Sequence, residues 1–335
     1  MKHDRLPRMV IFAPHYSTME KIKFLEIASE LGAGTRGASL GIDAMRVASW
    51  NSNSNVLMQY PLEKVANRND LLWKPITTPY GKHIAGIAEV YANIAKATQK
   101  SLNNNEFPVI LAGDHSTAGG TIAGIKAAHP TKRLGVVWVD AHADLHTPHT
   151  TPSGNVHGMP LATALATDNI DKAINEVKDE TKAAWETMKN LGGISPKLLP
   201  EDLVFIGVRD TEAPEDYLMD KHGIRNFTVA EVNNKGAVTI AEETLAKLAD
   251  CDMIYISFDV DSMDCDMVSN GTGTPVKNGL SPDQAGEILE TLVASPKTIA
   301  FEMVEVNPCL DNKCNKMAEV ALTQLEKVIK ILAHK

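Results

Sequence analysis

The chain is short of cysteine, of long apolar runs and of basic charge, and each shortage removes a class of function. Its 335 residues hold four cysteines, Cys251, Cys265, Cys309 and Cys314, none in a Cys-x-x-Cys spacing and none with a histidine close by. That argues against a zinc ribbon or a dithiol redox motif and predicts free thiols. Cys309 and Cys314 lie in a loop-like segment after Pro308, but pairing there would need an oxidising compartment. No apolar stretch approaches the roughly 20 residues of a membrane span. Lys and Arg number 33 against 42 Asp and Glu, a formal net charge of −9, which argues against nucleic acid or acidic lipid as the main partner. The opening Met1-Lys-His-Asp-Arg-Leu-Pro-Arg8 has no apolar signal core before Met9, so a cytoplasmic location is expected. Repeats, low-complexity tracts and Pro/Gly/Ser-rich linkers are also lacking. Residues 1–335, 44% of them hydrophobic, are therefore expected to form a single domain with a large core.

What is present is alternation. Apolar runs over residues 9–13, 109–111, 134–139, 203–206, 253–258 and 298–303 read as strands. Between them, amphipathic stretches over 18–31, 82–102, 121–128, 168–191, 241–248, 281–293 and 313–333 read as helices. Ser281-Pro-Asp-Gln opens its helix with an N-cap and a proline in the first turn. Strands alternating with helices signify a parallel α/β sheet.

Three of these strands run directly into acids and histidines. Leu134-Gly-Val-Val-Trp-Val139 is followed by Asp140-Ala-His142-Ala-Asp144. On an extended chain alternate side chains share a face, in steps of about 7 Å, so two carboxylates and an imidazole point the same way. Pro108-Val-Ile-Leu111 leads to Gly113-Asp114-His115-Ser116, and Met253-Ile-Tyr-Ile-Ser-Phe258 leads to Asp259-Val-Asp261. Parallel sheets present ligands outside the carboxyl ends of their strands. Such groups repel and dehydrate one another unless a cation lies among them. Asp and His without Cys favour manganese, iron, cobalt or nickel over a structural zinc. Asp140, Asp144, Asp259, Asp261, His115 and His142 are too many for one open ion; they suit two, about 3.5–4 Å apart.

These blocks, with Thr150-Thr-Pro-Ser153-Gly-Asn155-Val-His157-Gly158, Ile206-Gly-Val-Arg209-Asp210 and Glu305-Val-Asn307-Pro308, resemble the ureohydrolase family, and within it the arginases. They occur in family order from about residue 34 to 325. The resemblance implies a three-layer αβα sandwich around a central, mostly parallel sheet of about eight strands. It implies two divalent metals, Mn2+ first, with Co2+, Ni2+ or Fe2+ as alternatives. One would be held by His115, Asp140, Asp144 and Asp259, the other by Asp140, His142, Asp259 and Asp261, with Asp140 and Asp259 bridging. It implies hydrolysis of L-arginine to L-ornithine and urea by a metal-bridging hydroxide, and a homo-oligomer, trimer or hexamer. Residues 168–191 look longer than the family segment and read as a surface insertion.

By the same resemblance, Asp144 orients the nucleophile, His157 passes a proton to the leaving amine, and Glu305 holds the guanidinium. Thr151, Ser153 and Asn155 would bind an α-carboxylate. Asp210, Glu212 and Glu215 would lie near the α-amino group, and Thr274 would line the site. Asp114 would support the metal ligands from behind, and it reads at least as well as a cap of the turn that follows it. Two positions depart from the arginase pattern: His146 replaces an asparagine of the carboxylate set, and Glu212 replaces an aspartate. They leave open another guanidino or formimino acid, agmatine or formiminoglutamate as substrate. A non-catalytic metal-binding homologue is the reading from another class; the intact ligand set with His157 and Glu305 argues against it.

Overall fold

The structure, a computed structural model, describes residues 21–335. Eight strands form one sheet: β1 (Lys21–Ile27), β2 (Leu62–Lys64), β3 (Glu106–Ala112), β4 (Leu134–Val139), β5 (Leu203–Ile206), β6 (Arg225–Phe227), β7 (Met253–Asp259) and β8 (Thr298–Val304). Their order is β2-β1-β3-β8-β7-β4-β5-β6, and every pairing is parallel. The helices are α1 (Gly41–Ser52), α2 (Ile84–Asn103), α3 (Ala118–Ala128), α4 (Pro160–Leu165), α5 (Asp179–Lys189), α6 (Ala213–His222), α7 (Val229–Lys235), α8 (Ala237–Lys247), α9 (Pro282–Ala294) and α10 (Lys316–Leu332).

The period-two rule sorts each strand between two cores. Val137, Val139, Ile254, Ile256 and Phe258 pack in one core with residues of α1, α8, α9 and α10. Val136, Trp138, Met253 and Tyr255 pack in the other with residues of α2, α3, α4 and α6. A sheet buried on both faces needs strands that are apolar nearly throughout: β4 is so along its whole length, and β7 up to Ser257. The result is the expected αβα sandwich. Among the described residues no helix is long and apolar enough to cross a membrane, and all four cysteines are free thiols.

Two expectations fail locally. The helix expected over 18–31 is strand β1 from Lys21 onward, while residues 18–20 and the strand expected over 9–13 lie outside the described residues. Short apolar runs cannot be assigned by periodicity alone. Here pairing with β3 over seven residues decides the matter. The helix expected over 168–191 is broken: a turn at Ile170–Lys172 is followed by α5, which starts only at Asp179. The intervening residues bond to the loop at 147–151 instead of to their own helix. The short edge strands β2 and β6, and helices α1, α4, α6 and α7, had no strong sequence signal. The exception is α6, whose Glu212–Glu215 capping box with proline in the first turn was legible but not read.

Candidate active site

The four central strands, β3, β8, β7 and β4, are neighbours in that order, and the chain just beyond each carries the acids and histidines. After β3, Gly113 is required by close packing: a Cβ there would lie 1.9 Å from Ser29 O. Asp114 accepts from the Gly32 and Ser116 N–H groups at 3.0 and 2.9 Å. It caps the turn His115–Thr117, so the structure favours the capping reading. Burial first, then the charge of Glu305, raises its pKa to about 6.

That turn delivers His115, buried and stacked on Trp138 with centroids 4.0 Å apart. Its Nε2 lies 2.8 Å from Ser257 Oγ, a contact that orients the ring as outer partners of metal-binding imidazoles do. Its Nδ1 faces Asp140 Oδ2, Asp144 Oδ2 and Asp259 Oδ2 at 2.9, 3.2 and 3.3 Å. Neither His115 Nδ1 nor Asp140 Oδ2 makes a well-directed hydrogen bond, although both are buried. The second imidazole, His142, points Nδ1 at Asp261 Oδ2, 3.1 Å away, and Asp140 Oδ1, 3.5 Å away. Asp140 thus offers one oxygen to each histidine and belongs to both candidate ligand groups, His115-Asp140-Asp259 and Asp140-His142-Asp261. Asp259 falls in the first group alone; its Oδ1 accepts the Asp261 N–H at 2.8 Å.

Buried polar atoms ordinarily find partners. Here carboxylate oxygens and imidazole nitrogens converge and two of these buried atoms lack a partner, which is the arrangement a cation completes. Burial, then the charges of Asp261 and Asp140, pushes the Asp259 carboxyl well up. Asp144 and Asp261 are raised as well, again by burial first. The donor set, carboxylate and imidazole without thiolate, fits divalent ions of the manganese type. Asp144 and Glu305 also share a backbone oddity, with φ of 51° and 67°. Left-handed conformation in buried non-glycine residues is a strain that concentrates at functional sites.

Over the acids lies a cavity of about 270 Å³. Every predicted site residue lines it except Asp140 and Asp261, which lie beneath. Glu305 Oε1 accepts from the His115 N–H at 2.9 Å and meets His157 Nδ1 at 3.2 Å. Its Oε2 is buried and unpartnered among the described residues. His157 is disfavoured as a cation by burial, but the hydrogen bond and charge of Glu305 outweigh this and raise its pKa to about 9. Thr274 donates to Asp261 Oδ2 at 3.1 Å, so it braces an acid as well as lining the wall. Asp210 stands on the rim, two-thirds exposed, 3.7 Å from His142 Nε2. His149 does not line the cavity; its carbonyl accepts from the Ile174 and Asn175 N–H groups at 2.8 and 3.1 Å.

The two departures from the arginase pattern meet. His146 Nε2 makes a short contact with Glu212 Oε2. Its Nδ1 lies 3.1 Å from Thr150 Oγ1. Glu215 accepts from the Leu145 and Glu212 N–H groups at 3.0 and 3.1 Å, and burial raises its pKa to about 7. These three form another group able to take a cation, but the His146–Glu212 pair already satisfies it. Sequence reasoning missed the partners that hold these residues: Ser257, Lys82 and Asn175. Only Ser257 carried a signal, as the residue two before Asp259 on the same strand face.

The comparisons agree with this geometry. The family model described as the Arginase family matches residues 20–330. An arginase of Bacillus caldovelox is 34% identical over 318 residues, covering 91% of this chain and 96% of that one. The crystal structure of arginase from Bacillus subtilis subsp. subtilis str. 168 superposes with a TM-score of 0.76 at 34% identity, covering 92% of this chain and 98% of that one. That of Entamoeba histolytica arginase in complex with L-ornithine gives a TM-score of 0.77 at 25% identity, covering 92% and 98%. With the sheet, the converging acids and the match along nearly the whole chain in agreement, this protein belongs to the arginase family and is a ureohydrolase.

Proposed function

We propose that the chain hydrolyses L-arginine to L-ornithine and urea. The observation that carries this reading is the donor arrangement of the 147–155 loop. Thr151 Oγ1 accepts the Gly154 N–H at 2.9 Å, and Ser153 Oγ accepts the Asn155 N–H at 3.2 Å. Asn155 Oδ1 accepts from Lys82 Nζ at 3.0 Å. Each of the three groups spends acceptor capacity on the protein and keeps a donor for a ligand. A wall of donors suits a carboxylate. Glu212 and Glu215 line the same cavity and suit an ammonium. An α-amino acid carries both groups.

At the other end of the cavity, the unpartnered Glu305 Oε2 suits a guanidinium, which donates in a planar fork. His115, Asp140, Asp144 and Asp259 would hold one divalent ion, and Asp140, His142 and Asp261 the other, where the family pattern adds Asp259 as a further ligand; manganese would be the metal. When bound, the pair lowers the pKa of water so that a nucleophile exists near neutral pH. Asp144, which lines the cavity beside these acids, would orient the attacking water toward the guanidinium carbon. As the carbon–oxygen bond forms and the carbon–nitrogen bond to the ornithine chain breaks, the leaving nitrogen needs a proton. His157, whose proton affinity the adjacent Glu305 raises, would supply it.

A second reading has one observation in its favour: Glu212 is already paired with His146. A substrate whose polar end pairs differently, another guanidino or formimino acid, would leave that pair intact. Entamoeba histolytica arginase, solved with L-ornithine, supports the first reading. Urea release across arginine, agmatine and 4-guanidinobutyrate separates the two. Arginine should exceed both others by at least about 10² in kcat/KM, since polar sites reject analogues that leave their groups unpaired. Faster turnover of agmatine or a guanidino acid would overturn the arginine assignment. We also propose a homo-oligomer, a cytoplasmic location and one catalytic domain in which 168–191 is an insertion, one that packs Trp185 and Met188 into a core cluster.

A further inference from the structure

Asn155 reaches the cavity with its amide already oriented. An ammonium has donors and no acceptor, so the contact with Lys82 Nζ at 3.0 Å fixes which end of the amide is oxygen. Nδ2 is left at the other end, against Gly34, where a Cβ would come within 2.5 Å of it. Lys82 is itself anchored to the same loop: its N–H donates to Gly154 O at 2.8 Å. Gly154 has a φ of 76°, and a Cβ there would lie 1.7 Å from Pro79 O. The two segments therefore close on each other tightly, with the lysine side chain spanning the seam.

The charge matters as much as the geometry. The cavity wall carries Asp144, Asp210, Glu212, Glu215, Asp259 and Glu305. The metals would offset Asp144 and Asp259, but Glu212 and Glu215 share the wall with the loop that would take a carboxylate. Lys82 does not line the wall, yet it is one amide away from it. A cation on the acceptor oxygen of an amide strengthens that amide as a donor through the other end.

We propose that Lys82 is a positioning and specificity-determining residue: it aims Asn155 Nδ2 at the substrate carboxylate and lends that donor its charge. Guanidino substrates bearing a carboxylate are thereby favoured over those without one. The inference rests on the carboxylate role given above to the 147–155 loop.

The test uses the metal-loaded full chain, with Lys82→Met and Lys82→Arg beside the wild type. Arginine and agmatine turnover, L-ornithine binding by calorimetry and the melting midpoint are measured for each. Lys82→Met should raise KM for arginine about tenfold, the order expected for a lost charge-assisted contact. It should leave kcat within about twofold, since the group acts on binding shared by ground and transition states. Ornithine binding should weaken by a similar factor, and the preference for arginine over agmatine should shrink by the same amount. Lys82→Arg, which keeps the charge, should recover most of the loss. In an Asn155→Ala background Lys82→Met should add nothing. Equal loss on arginine and agmatine, or an unchanged preference with an intact midpoint, would overturn the proposal. If Lys82→Met melts early, Lys82→Gln carries the same comparison: it keeps a donor and removes the charge. A wild type that prefers agmatine sinks the arginine reading whatever Lys82 does. A wild type that prefers arginine, with ornithine bound equally well by the Met and Gln variants, sinks only the role of Lys82.

Discussion

At the scale of single residues, His157 and Glu305 form the pair on which the proton argument turns. Burial alone would favour a neutral imidazole; the adjacent carboxylate reverses that and raises the pKa to about 9. A raised histidine pKa means that the folded state holds its proton more tightly than the unfolded chain, whose value is about 6.5. The stabilisation is then complete below about pH 6.5 and is lost as pH rises through about 9. Glu305→Gln removes the charge and keeps the shape. The His157 resonance, followed by NMR, should then titrate below its wild-type value; an unchanged titration would show that Glu305 does not set it. His157→Ala tests the chemistry directly. It should leave the metal content near normal and lower kcat by roughly 10²–10⁴, the usual share of a general acid or base. Wild-type turnover across the pH range would remove His157 from the mechanism.

At the scale of elements, the substrate loop is held by a segment that sequence reasoning treated as a surface helix. Asn175 Nδ2 donates to Pro148 O and Thr151 O at 3.1 and 2.7 Å, and Thr147 Oγ1 donates to Asp168 O at 2.9 Å. Side-chain bonds of this kind are worth about 1 kcal/mol each, roughly fivefold in an equilibrium. Asn175→Ala should therefore raise KM for arginine by about 5–25-fold through a looser loop, with bound metal unchanged; an unaltered KM would show that the loop stands alone. Asn175 could not be found in the sequence, because its partners are backbone carbonyls 24 and 27 residues away. Lys82 was hidden for the same reason, 73 residues from Asn155. Asp140, His142 and Asp144 were legible because a strand writes its face at a period of two, and Asp259 and Asp261 follow the same rule. β1 was misread because residues 22, 24, 25 and 27 are apolar, a spacing that satisfies neither strict alternation nor a helix. Its identity depends on lying between β2 and β3, which no local pattern records.

At the scale of the whole molecule, one site concentrates like charge at the centre of the sheet, and that makes stability depend on metal and on pH together. Among the four carboxylates that would hold metal, Asp144, Asp259 and Asp261 have raised pKa values without one, chiefly through burial. Asp140 alone moves down, where the hydrogen bonds and charges of His115 and His142 outweigh its burial. The two histidines are raised, their carboxylate neighbours outweighing burial. For a raised acid the folded state takes up protons that the unfolded chain has released, so stability falls as pH rises through the folded pKa; a raised histidine acts in the same direction. The raised groups act in one direction and Asp140 in the other, and the metal-free protein is expected to weaken toward neutral pH. Metal binding runs the other way, since its ligands must be deprotonated and binding releases protons. At a free metal concentration of 100 Kd the stabilisation is about 2.7 kcal/mol. The melting midpoint of manganese-loaded protein should exceed that of chelator-treated protein, and the gap should widen as pH rises from about 5 to about 7.5. Elemental analysis of the loaded protein should find about two ions per chain, and Asp140→Ala, which removes the acid shared by both ligand groups, should abolish both the binding and the gap. A gap that stays constant or narrows with rising pH would mean that the buried acids are balanced within the protein itself, and that metal is held elsewhere than among them.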